Sequence, residues 1–117
     1  MQTVTNTREV SLALPDLAEA TGVPAAVICR YVELGLLPVR VAAEDDRPFT
    51  LDDAEIAVVL RAMDLLNFDI RNVRSRVERF IQGVPLVDDM LIALAEARLN
   101  DLPEMRDLLP QLQRLLA

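Results

Sequence analysis

With no histidine, one cysteine (Cys29) and a basic set made up wholly of arginine, this chain of 117 residues has a narrow chemical repertoire. A zinc site or a nucleophile–base pair would have to be assembled from carboxylates and one thiol. The adjacent acids Asp45/Asp46 and Asp88/Asp89 lie in polar runs, whereas a catalytic pair needs surroundings that separate two carboxyl pKa values. No glycine-rich phosphate loop occurs, and Cys29 has only Arg30 beside it to favour a thiolate. These residues point away from an enzyme and imply neither metal nor cofactor.

Binding is the chemistry that remains. The chain has 12 basic residues against 19 acidic ones, a formal charge of −7. Duplex DNA presents one negative charge per ~1.7 Å of axis, so a DNA-binding domain normally shows it a basic face. The acids cluster instead. Glu44, Asp45 and Asp46 form one run, and Asp52, Asp53 and Glu55 follow closely, which suggests a surface for a basic partner. The opposing candidates for phosphate contact are Arg30, Arg40 and Arg47, together with Arg71 and Arg74 from an arginine-rich stretch that also holds Arg76 and Arg79.

The elements that must position these residues begin at LAEATGVPAAVICRYVELGLL, residues 17–37, which predicts two short helices meeting at a Gly22-Val23-Pro24 corner. Leu17, Ala18 and Ala20 are expected to face inward on the first, and Val27, Ile28, Tyr31 and Leu34 on the second. Pro15 suits the first turn of the first helix, and Gly35 suits the end of the second. Helices joined this way form a helix-turn-helix. Val10 to Leu14 alternates weakly, as an extended lead-in would. The Val39/Val41 alternation, the acidic tip and Arg47-Pro48-Phe49 predict a β-hairpin wing.

Thr50 then reads as the cap of a third helix, with Asp52 and Asp53 complementing its dipole and Ile56, Leu60, Met63 and Leu66 forming its core face. Asn67-Phe68-Asp69 breaks it. Asp69 caps a fourth helix with the stripe Ile70, Val73, Val77 and Phe80, which Gly83 ends. Leu86 to Arg98 is amphipathic, and Asp101 with Glu104 resembles a capping box. Leu102, Met105, Leu109, Leu112 and Leu116 then follow coiled-coil spacing, interrupted by Pro110, which is expected to kink or split that helix. Such a tail either folds back as a helical hairpin or pairs with a second copy; dimerisation is the favoured expectation. The organisation expected is a flexible segment over 1–9, a winged-helix domain over 10–83 and a helical or dimerisation element over 84–117. The polar N-terminus carries no secretory pattern, and no apolar run spans a bilayer, so a cytoplasmic protein without membrane contact is expected.

At Leu17-Ala18, Thr21-Gly22-Val23 and Arg30-Tyr31-Val32-Glu33-Leu34-Gly35-Leu36-Leu37-Pro38, the sequence resembles the MerR-type winged helix-turn-helix superfamily. Arg47-Pro48-Phe49 is similar to the Arg-x-aromatic that closes that family's wing. Asn67-Phe68-Asp69-Ile70 stands where the family usually has Gly-Phe-Ser-Leu. The resemblance runs from Leu12 to Ile81 and implies a mainly α fold, four helices plus a small hairpin wing, followed here by the C-terminal helices. It implies one of two functions. MerR-type transcription regulators bind DNA as dimers, and in that reading Arg30, Arg40, Arg47, Arg71 and Arg74 are the contacts. The chaperone modulators of the CbpM type bind and restrain the J-domain of a DnaJ-like co-chaperone.

Base readout needs polar side chains on the early turns of the reading helix. The matching positions here are Pro24, Ala25, Ala26 and Cys29, then Arg30; DNA-binding members commonly have Ser or Thr early in this helix and arginine at the position of Cys29. The acidic tip would meet phosphate with like charge. The favoured expectation is therefore a modulator whose acidic surface, Glu44, Asp45, Asp46, Asp52, Asp53 and Glu55, docks on a basic J-domain face. A DNA-binding regulator is the alternative.

Overall fold

Leu14–Thr21 (α1) and Ala25–Glu33 (α2) are joined by Gly22, Val23 and Pro24 in the computed structural model, which describes residues 12–37 and 49–116. Pro15 sits in the first turn of α1, where its missing N–H costs nothing. Gly22 ends the helix at φ 77°, in the left-handed region that penalises any Cβ, and donates to the Ala18 carbonyl at 2.9 Å. Thr21 is buried at this corner; its hydroxyl donates to the Leu17 carbonyl (2.7 Å) and accepts the Val23 N–H (3.1 Å).

Leu17 is fully buried on α1, while Ala20 is exposed, against expectation. Leu17 and Thr21, four residues apart, set the buried face, and Ala20 falls beyond its margin. On α2, Ile28 and Tyr31 are buried, but Leu34 is exposed. Leu34 is the cap residue, and Gly35 at φ 76° swings the chain so that Leu36 and Leu37 enter the core in its place.

The remaining helices are Leu51–Leu65 (α3), Ile70–Ile81 (α4), Asp89–Ala97 (α5) and Met105–Leu115 (α6). The ends of α2, α3 and α4 share one device. In each, the second residue after the cap donates to the carbonyl five residues back, as Leu36 does to Tyr31, Phe68 to Met63 and Val84 to Arg79, each at 2.9 Å. Asn67 takes the left-handed position at the end of α3 with φ 63°, tolerable for asparagine. Two compact units divide the chain, Met1–Ala57 and Val58–Ala117, with the division inside α3.

The hairpin wing falls on residues 38–48 and lies outside the described residues. Among the described residues, the extended pairing is a single antiparallel bridge between Leu12 and Phe49, with N–H···O distances of 2.7 and 3.1 Å. The lead-in to α1 thus pairs with the segment entering α3.

Within α3 the buried positions exceed one face. Ile56 to Leu60 are all buried, as are Ala62 and Met63. A helix apolar around its whole circumference is a core helix, and the run IAVVL carries that signal. On α4, Val73 and Val77 are buried, Phe80 is half-buried, and Ile70 is 44% exposed, so the stripe begins one turn later than expected.

α5 also starts later than expected. Leu86 and Val87 are buried in the segment before it, and Asp88 caps it by accepting the Leu91 N–H at 2.9 Å. The expected Asp101/Glu104 capping box does not form. Asp101 pairs with Arg98 at 3.5 Å, and α6 begins at Met105 with no side-chain cap from Glu104. Pro110 does not split α6, which runs through it.

Candidate functional site

The acids expected to form a docking surface do not stand alike. Asp53 is fully buried. Its carboxylate accepts the Thr50 N–H at 2.8 Å, and the Thr50 hydroxyl accepts the Asp53 N–H at 3.3 Å. This reciprocal box closes the start of α3 and removes Asp53 from any exposed acidic surface. Asp52 and Glu55 are half-buried, and each already has a polar or electrostatic partner. Glu44, Asp45, Asp46, Arg40 and Arg47 lie outside the described residues.

α2 presents a mixed face to solvent. Ala26, Cys29, Arg30 and Glu33 are exposed on it, and Pro24 precedes it without a capping side chain. Arg30 is the cation of this face and is itself engaged within the chain.

In the second unit, Arg71 and Arg74 are exposed on α4, and Arg74 already has a partner. Arg76 does not share their solvated face. Its guanidinium Nη1 donates to the Leu86 carbonyl at 2.9 Å and to Asp88 Oδ2 at 3.3 Å, tying α4 to the segment that leads into α5. Sequence reading placed Arg76 with its neighbours; the signal available was its position two residues out of step with Arg74 on the helix. A cleft of about 310 Å³ opens beside this contact, and Arg79, Val84 and Asp89 are among the residues lining it.

The Asp88 carboxyl is held below its ordinary value of 3.8, first by the Leu91 N–H it accepts and further by the Arg76 guanidinium, with partial burial opposing both. A depressed folded-state pKa stabilises the fold above the unfolded value, and that contribution disappears as pH falls through the folded value. Asp88→Asn, which keeps a capping oxygen, is therefore expected to flatten the loss of stability as pH falls through and below the ordinary carboxyl value of 3.8. Urea midpoints measured across that range check it; an acid limb identical to wild type would contradict the assignment.

Part of the leucine-rich tail packs within the chain. Met105 and Leu112 are fully buried and α6 packs against α5, whereas Leu102, Leu109 and Leu116 are half-buried. Leu108, adjacent to Leu109, takes the inner position between Met105 and Leu112. Spacing alone does not separate two neighbouring leucines that both fit a three-then-four pattern.

Among the described residues, no group of three or more acids or thiols is placed to hold a metal ion, and no helix is long and apolar enough to cross a membrane. No family model, curated protein or solved structure matches the chain. Among the described residues the chain is a mainly helical protein.

Proposed function

We propose that this chain is a non-enzymatic regulator that works by binding another protein. The observation that carries the reading is the exposed face of α2, where Pro24, Ala26 and Cys29 occupy positions at which a base-reading helix needs donors and acceptors. Small apolar side chains flanked by one cation and one acid suit contact with a protein surface better than hydrogen bonding to base edges. Combined with the MerR-like resemblance, this favours a chaperone modulator of the CbpM type, with the J-domain of a DnaJ-like co-chaperone as partner. The helix-turn-helix and hairpin wing belong to the same proposal. Since Asp53 is internal and Asp52 and Glu55 are engaged, the electrostatic part of the contact falls on Glu44, Asp45 and Asp46.

Co-purification with an isolated J-domain tests this. The wild-type chain is expected to retain the J-domain, and Asp45→Arg with Asp46→Arg to weaken retention. Unchanged retention in the double variant would remove the acidic-tip mechanism.

One observation favours DNA binding as the second reading. Arg71 and Arg74 are exposed on α4, where guanidinium groups suit phosphate contact, and Arg30 is separately exposed on α2. A low-salt gel shift that is sequence-specific and lost on Arg30→Ala would put this reading first.

A further inference from the structure

The cleft beside the Arg76–Asp88 contact lies wholly within the second unit and takes no part in the proposed protein contact. Its walls are apolar at Val84, Pro85, Val87 and Leu116 and charged at the α4 and α5 ends. Two of those charges are already engaged. Asp88 accepts from Leu91 through Oδ1 and from Arg76 through Oδ2, and Arg76 also holds the Leu86 carbonyl.

Arg79 and Asp89 remain. Both are exposed, both line the cleft, and among the described residues neither side chain has a hydrogen-bond or ion-pair partner. They also make no ion pair with each other. A guanidinium and a carboxylate standing apart in one cleft, next to an aliphatic wall, match a ligand that carries both charges and a short apolar body. The volume of about 310 Å³ suits a molecule of that size.

We propose that this cleft binds a free α-amino acid with a branched aliphatic side chain. Arg79 takes the carboxylate as a two-donor fork, Asp89 takes the ammonium group, and Val84, Pro85 and Leu116 receive the side chain. A simple fatty acid would leave Asp89 opposing it, and an aliphatic amine would leave Arg79 opposing it. The inference does not depend on the protein-binding proposal.

The experiment is an amide-shift titration of the full chain with L-leucine, with 4-methylpentanoate, which lacks the ammonium, and with leucinamide, which lacks the carboxylate. Leucine is expected to give saturable shifts at Arg79, Val84, Asp88 and Asp89, and each control to bind about tenfold more weakly or worse. Arg79→Gln should weaken leucine by a similar factor and leave leucinamide no weaker; Asp89→Asn should weaken leucine and leave 4-methylpentanoate no weaker. Both positions are exposed, and the unperturbed remainder of each amide spectrum verifies the fold. No saturable shift with leucine, shifts centred elsewhere, or full leucine affinity in Arg79→Gln would overturn the proposal.

Discussion

Leu112→Ala is expected to lower the free energy of unfolding by about 2–5 kcal/mol, the range for removing a fully buried leucine and leaving part of its volume as a cavity. Leu112 is 0% exposed and lies on the helix that packs against α5, with Met105 and Leu108 buried on the same helix. Leu116→Ala, at a half-buried position, should cost clearly less. The pair also tells an internal seam from an intermolecular one. A side chain buried within one chain affects stability equally at every protein concentration, whereas a seam between copies makes the unfolding midpoint rise with concentration. Urea unfolding of both variants at low and high protein concentration is the measurement. A concentration-dependent loss for Leu112→Ala would place Leu112 in a seam between copies.

Asp53→Ala is expected to be the next largest, at about 1–3 kcal/mol. The substitution removes the acceptor for the part-buried Thr50 N–H at the first turn of α3, from a carboxylate that is itself fully buried. A buried donor left without an acceptor loses more than the net value of one hydrogen bond, because its desolvation is no longer offset. Asp53→Asn retains an acceptor oxygen and should cost less than alanine. Thermal unfolding of the two variants beside wild type checks the order. If alanine and asparagine are equally tolerated, the box is not what holds the start of α3.

Boundaries of α1 to α4 were the most legible part of this fold. Thr50, Asp69, Gly22, Gly35 and Gly83 each mark a boundary in the sequence because capping and positive φ are local requirements that few residue types satisfy. Burial was less legible wherever two neighbours satisfy the same period. Leu108 displaces Leu109, and Leu36 and Leu37 displace Leu34, because the choice depends on how a turn aims the next residue. Leu86 and Val87 read as the start of a helix, yet they are core residues ahead of the Asp88 cap. The candidate site suffered more. Asp53 counted as surface charge by its type, whereas its reciprocal bond with Thr50 draws it inward at the start of α3. Arg76 counted as one of a basic row, but its guanidinium finds acceptors ten and twelve residues away, a distance no periodic pattern encodes. Non-local polar contacts were thus the part hidden from sequence, and they decide which charges remain available to a partner.

The protein-binding proposal makes a quantitative prediction. Calorimetric titration of the full chain with an isolated J-domain, beside the same titration with Asp45→Arg and Asp46→Arg combined, is the most direct measurement. Saturable binding by the wild type, at least about tenfold weaker in the double variant, is the predicted result. No J-domain binding by the wild type, together with sequence-specific duplex binding that disappears on Arg30→Ala, would contradict it.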